Sequence, residues 1–340
     1  MLSIALAGFV LAIIATVEAR LHWLVYKQIE SHLGITSQVN AYQQLRGGAL
    51  RAPTTFPEST SLGNFLALAG VAILALRSSF ATKGKFYLCF AVLAFGLIAP
   101  NSRGAFFGIA VGVLAMDFYR KRWGPLAMKL GAVGGLYLIG LIVAPLSPFI
   151  AEMVGKGEAS RGSTEYRVTL LHRGLEEIHK HPFLGTTLKR ALDNLSDITQ
   201  GQHIVDLVNA YIGYGLTLGY PGMVGLAAVF ISLCLAMLKV RKKLSVSPLL
   251  TDSAAFVFSV SAFMIGVAAF TTFGGEHGAY YYQVCAIGSS LWALSRTARA
   301  PGAKGAVAGA PISPTRALIL ADRERALARR SDELSSVPAG

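Results

Sequence analysis

Apolar residues run along this chain in long stretches separated by short polar punctuation, the pattern of segments that cross a hydrocarbon layer. Predominantly apolar windows of about 17 to 25 residues give about eight spans, near 2 to 19, 61 to 77, 86 to 100, 105 to 119, 126 to 146, 221 to 239, 253 to 272 and 279 to 296. The third and fourth are short and predict a tight helical hairpin turning at Asn101-Ser102-Arg103-Gly104. The first run has no basic segment ahead of it and continues straight into Glu18 and Arg20, so it is expected to remain a membrane helix rather than a cleaved leader. The fold class expected is an all-α polytopic membrane protein.

Composition agrees: the 340 residues are 53% hydrophobic and only 14% charged, with a mean hydropathy of +0.52. Cys89, Cys234 and Cys285 all fall inside apolar runs, which argues against a disulfide framework or a thiolate metal site. Short basic clusters occur at Arg77, Lys83 and Lys85, at Arg120 to Arg122, at Lys239 to Lys243, and at Arg296 and Arg299. If the spans alternate, all of them fall on one side, which the bias of short loops makes cytoplasmic. Both termini are then cytoplasmic, and 20 to 60, 101 to 104, 147 to 220 and 273 to 278 face outward.

Four regions are therefore expected. Residues 1–146 are N-terminal membrane helices with an outer loop at 20–60, 147–220 are a large, partly helical outward loop, 221–299 are C-terminal membrane helices, and 300–340 are a disordered cytoplasmic tail.

The formal charge of +13 is only partly explained by the cytoplasmic clusters. The outward segments carry Arg46, Arg51, Arg103, Arg161, Arg167, Arg173 and Arg190, more arginines than lysines. A guanidinium grips phosphate oxygens in two places and stays charged near a low-dielectric boundary, so an anionic, phosphorylated ligand on that face is the economical reading. Lipid headgroup contacts and surface ion pairs are the alternatives for each arginine taken singly. Arg103, in a short turn between membrane helices, stands apart because an unpaired charge there is expensive. Arg46 and Arg51 flank a glycine pair that predicts a turn.

In the large loop, Ser163-Thr164-Glu165 precedes a helical pattern from about Tyr166 to Lys180, with Pro182 ending it. Arg167 then lies in the first turn, where a cation opposes the helix dipole and gains nothing for the helix itself. His172, Glu176 and His179 share a face, but the spacing is loose for zinc and no metal or cofactor is expected. Residues Asp206 to Gly219 predict a short helix at the membrane surface or dipping into it, broken at Gly219-Tyr220-Pro221-Gly222. His203, Asp206 and Asn209 are the candidate catalytic residues, with His203 or Asp206 able to deprotonate an incoming hydroxyl within reach. Glu276 and His277 form a weaker candidate pair in the last outward turn.

Several short motifs recur in order: the arginine-bearing first outer loop, Ser102-Arg103-Gly104, Arg-x-x-x-Leu at Arg167 to Leu171, His-Pro-x-Leu-Gly at His181 to Gly185, and Asn-x-Tyr with Gly-x-x-Gly from Asn209 to Gly222. Their order resembles the bacterial O-antigen ligase and O-antigen polymerase superfamily. The resemblance implies a glycan transferase of the bacterial inner membrane that takes an undecaprenyl diphosphate-linked glycan at the periplasmic face, for lipopolysaccharide or exopolysaccharide assembly. It implies that Arg103 and Arg167 bind the donor diphosphate, with Arg46, Arg51 or Arg161 assisting. The acceptor would be a growing glycan or lipid A-core. Membrane lipids and other polysaccharide-assembly proteins are the further partners expected, and nucleic acid is not.

Two departures stand out. Many members carry a histidine just before the Asn of Asn-x-Tyr, proposed as the base, and here that position is Val208. The chain is also short for the family and is expected to lack several N-terminal membrane helices. A transporter of anions or lipid-linked glycans, and a noncatalytic component of an assembly complex, are the alternative readings.

Overall fold

The computed structural model describes residues 1–25, 45–46, 49–198, 205–245, 247–271 and 276–297. In chain order these form α1 (Leu2–Leu21), β1 (Leu45–Arg46), β2 (Ala49–Leu50), α2 (Ser59–Ala75), α3 (Lys83–Gly96), α4 (Arg103–Tyr119), α5 (Trp123–Val143), α6 (Pro148–Met153), α7 (Glu158–Lys180), α8 (Leu188–Asn194), α9 (Ala210–Leu244), α10 (Pro248–Val267) and α11 (Glu276–Thr297). The strands form one antiparallel pair, Leu45 opposite Leu50 and Arg46 opposite Ala49. Residues Met1–Thr297 make one unit, and the tail from Ala298, with the expectations placed on it, lies outside the described residues.

Five described helices are long and apolar enough to cross a membrane: Leu2–Leu21, Ser59–Ser79, Trp123–Leu146, Ala210–Leu244 and Pro248–Val267. The chain is a multi-pass, helical membrane protein. Helices α3 and α4, at 14 and 17 residues, are shorter than a full bilayer crossing of about 20.

α2 and α10 are buried along most of their length and pack against α4 between them. Small residues set how closely the helices approach, as interfaces within a bilayer require when no water is available to drive them together. Gly108 of α4 lies against the ring of Phe263, and Gly8 of α1 against Ala69, where an added methyl would collide. α5 buries none of its residues and turns Leu136, Ile139 and Ile142 outward, which suits a helix bathed in lipid.

Two local expectations, on the hairpin turn and on the start of α7, are corrected. The first helix stops at Leu21, because His22 turns left-handed (φ 51°) and the next residues fold back onto the buried Glu18 carboxylate. That carboxylate accepts the amides of Val25 (3.1 Å) and Thr54 (3.0 Å), giving a buried acid the donors it needs. The hairpin turn after α3 is Leu97 to Ser102, so Arg103 and Gly104 open α4 rather than belonging to the turn. α7 begins at Glu158, well before Tyr166, placing Arg167 in the helix interior rather than in its first turn. Ser163-Thr164 resembles a helix start, but Gly157 is the cap and Glu158 supplies the acid that suits the N-terminal dipole.

The expected surface helix and sixth span merge into α9, which kinks at Gly219 (φ 69°) just before Pro221. Proline has no amide proton, and at the kink the helix also gives up the bond between Tyr220 N and Leu216 O. The His181 to Gly185 turn takes both halves: Tyr220 donates to Pro182 O (2.8 Å), and Thr186 donates to Leu216 O (2.7 Å). Gly185 (φ 63°) lies against the Thr217 carbonyl group, so neither its conformation nor its surroundings admit a side chain.

Candidate functional site

Arg103 is delivered by a turn held from behind. The Ala52 amide donates to Ala99 O (3.2 Å), and Arg51 reaches Pro100 O through Nε (3.0 Å) and Thr60 Oγ1 through Nη2 (3.2 Å). Asn101 takes the left-handed conformation (φ 47°), and α4 then starts at Arg103 with no capping bond from the Ser102 side chain. The amides of Arg103 and Gly104 thus open the helix without a bond from the Ser102 side chain, at residues that also line the cavity described below.

Arg167 arrives from α7. Its guanidinium carbon stands 5.8 Å over the ring of Phe270, and Phe270 in turn meets Phe107 of α4 edge-on at 5.8 Å. Asn209 caps α9 by accepting the Ile212 amide at Oδ1 (3.2 Å), while Ala210 donates to Ala268 O (2.8 Å) and joins the start of α9 to the end of α10.

These pieces enclose one cavity of about 460 Å³, lined by Arg103, Gly104, Thr164, Arg167, Asn209 and an apolar wall that includes Phe107 and Phe270. Two guanidinium groups, an uncapped helix start and an amide side chain thus face a partly apolar space. That chemistry suits an anion with an attached hydrophobic or glycan portion.

Each arginine has a carboxylate near it. Glu152, buried on α6, acts electrostatically on Arg103, and Gly155 (φ 86°) lets the guanidinium lie close to the backbone. Asp206 acts on Arg167. Burial pushes the Asp206 carboxyl above the usual aspartate range, and the Arg167 charge opposes that shift. The Asp206 backbone is clamped by Tyr166, whose hydroxyl donates to Asp206 O and accepts from Asp206 N, both at 2.8 Å. Burial raises the Tyr166 hydroxyl's pKa as well, keeping it a donor.

The sequence-derived candidates divide accordingly. Arg103, Arg167 and Asn209 line the cavity, and Asp206 lies beside Arg167. Arg51 bonds the turn behind Arg103 and is not among the lining residues, and Arg161 is exposed on α7. His203 lies outside the described residues, as do the side chains of Arg46, Glu276 and His277. Val208 packs with Leu207 against the small core formed by Leu170, Ile178 and Ile212. Glu176 pairs with Arg173 (2.9 Å) on the surface.

Glu152 and Tyr166 were not given roles by the sequence reading. Tyr166 directly precedes Arg167, and a lone acid between an apolar span and Gly155 was the available signal for Glu152.

Among known proteins, residues 88–227 match the family model described as O-antigen ligase. No curated protein matches the chain. The matched segment contains Arg103, Arg167 and Asn209, together with the interlocked turns at Pro182 and Gly219. Over that segment, the chain is similar to the O-antigen ligase family.

Proposed function

We propose that the chain is a membrane glycosyltransferase of O-antigen ligase or polysaccharide polymerase type. It takes an undecaprenyl diphosphate-linked glycan at the periplasmic face of the bacterial inner membrane. The observation that carries this reading is the convergence of Arg103, Arg167 and Asn209 on one cavity, with Asp206 beside Arg167. In this reading α3, α4 and α11 complete a set of eight spans, and residues 147–220 stand on the outward side.

The acceptor hydroxyl attacks the anomeric carbon of the donor sugar. The bond from that carbon to the diphosphate oxygen breaks, and the lipid diphosphate leaves with the electron pair. Arg103, Arg167 and the α4 amides stabilise the charge growing on the leaving group, and their positions are set before reaction, which is the main source of such stabilisation. Asp206 takes the hydroxyl proton, and its raised pKa makes it a stronger base than an exposed aspartate. Asn209 orients the sugar through its amide. Arg51 serves by holding the turn that presents Arg103, and Arg161 assists from the rim of the outward segment. Arg46 and His203 keep their candidate roles as additional donor contact and base. The acceptor is lipid A-core for a ligase or a growing glycan for a polymerase. No metal enters these steps.

The test is Arg167→Ala in the purified protein, supplied with a lipid-linked donor and an acceptor. Glycan transfer should fall on the order of 10²-fold with expression and folding unchanged. Unchanged transfer would remove the centre of the proposal. Wild-type protein that moves the donor across vesicles without forming product would be a transporter. Wild-type protein that does neither would be a noncatalytic assembly partner, the reading that Val208 at the usual histidine position favours.

A further inference from the structure

The end of α4 remote from Arg103 carries a second cavity that the glycan-transfer reading does not use. A 17-residue helix spans about 25 Å at 1.5 Å per residue, and the two cavities sit at its opposite ends and share no lining residue. This one is larger, about 880 Å³. Three basic clusters far apart in sequence converge on it: Arg77 and Lys83, then Arg120, Lys121 and Arg122, then Arg241 and Lys242.

Against these seven cations, Asp252 is the one carboxylate among the described lining residues, and it is already engaged. It pairs with Arg120 (2.6 Å) and accepts from Ser78 Oγ (2.5 Å). Arg241 donates to Tyr119 O (2.9 Å) and lies over the Tyr119 ring, and Arg77 lies over the Phe86 ring. Asp252 offsets the charge of Arg120, whereas the contacts of Arg77 and Arg241 fix those two guanidinium groups without neutralising them. Arg122 bears repulsively on Arg120. Lys83, Lys121, Arg122 and Lys242 are exposed around the opening.

The tendency of short cytoplasmic loops to be basic explains each cluster by itself, since it depends on counts of Lys and Arg and not on shape. It does not explain why three of them surround one concavity with aromatic walls at Phe80, Phe86 and Tyr119. Gathering like charges around a hollow is unfavourable unless an anion occupies it. The excess of cations over carboxylates exceeds what one singly charged phosphodiester balances.

We propose that this cavity binds a polyanion carrying two or more phosphate groups. The ligand is either the headgroup of a membrane lipid or a soluble phosphorylated compound.

The experiment uses the full-length protein in neutral detergent and follows thermal unfolding at matched ionic strength. The additions are a lipid with two phosphodiester groups, a zwitterionic phospholipid, inorganic pyrophosphate, or sodium chloride. The two-phosphate lipid, or pyrophosphate, should raise the midpoint by several degrees where the zwitterionic lipid and chloride do not. A response to the lipid alone identifies the bilayer as the source, and a response to pyrophosphate as well identifies a soluble ligand. The double variant Arg122→Gln/Lys242→Gln should weaken the apparent affinity about tenfold or more, because charge-assisted contacts to phosphate are lost. Lys83→Gln/Lys121→Gln repeats the test if the first pair unfolds. Lys85→Gln/Lys239→Gln removes the same charge from exposed residues outside the cavity and should leave binding intact. Equal weakening by the control pair, or equal stabilisation by all four additions, would overturn the site.

Discussion

Asp206 is drawn in opposite directions by its surroundings: burial favours the protonated carboxyl, and Arg167 favours the carboxylate, with burial the larger influence. A base must be deprotonated to act, so transfer should rise with pH through a transition lying above the usual aspartate range. Substituting Arg167 by Gln removes the charge that favours the carboxylate, and the transition in kcat/KM should move to still higher pH. A profile unmoved by Arg167→Gln, or retained in Asp206→Asn, would exclude Asp206 as the base. The effect on stability runs the other way. A raised folded-state pKa contributes stability below the unfolded pKa, and that contribution disappears as pH rises through the folded one.

Among the elements, glycine separates helix interior from structural joint. Gly185 has a positive φ and the backbone of Thr217 against it, so Gly185→Ala combines strain with collision and should destabilise by about 1–3 kcal/mol. Gly162, inside α7 with open space at the Cβ position, should behave in reverse, with Gly162→Ala gaining about 0.5–1 kcal/mol from helix propensity. Thermal unfolding of the two variants in detergent checks both signs. These same elements mark where sequence reading succeeds and where it stops. Long apolar runs announce helices because hydrocarbon leaves the backbone no other partner than itself. The start of α7 was misread because Ser163-Thr164 looks like a cap, and the true start at Gly157 depends on how α6 delivers the chain. Arg103, Arg167 and Asn209 were visible as motif residues. The use of Arg51 as a brace, and of Tyr166 as a clamp on Asp206, depends on neighbours about 40 residues or more away in the chain and has no local signature.

For the whole molecule, the ends of α4 define two chemical faces. One holds the cavity shared by Arg103 and Arg167, and the other the basic cavity around Arg120. If short basic loops are retained in the cytoplasm, Arg161 and Lys121 lie on opposite sides of the membrane. In a background free of Cys89, Cys234 and Cys285, a membrane-impermeant maleimide should label Arg161→Cys in intact cells and Lys121→Cys only after permeabilisation. Identical labelling of both would refute the orientation. The junction at Gly219 carries a mechanical consequence for this arrangement. Because the Pro182 turn occupies both ends of a severed helical bond, straightening α9 would eject that turn, and pulling the turn away would leave Tyr220 N and Leu216 O free to rejoin. The polar segment is thereby fastened to the bend of α9 itself, at two backbone groups rather than through the chain connection alone.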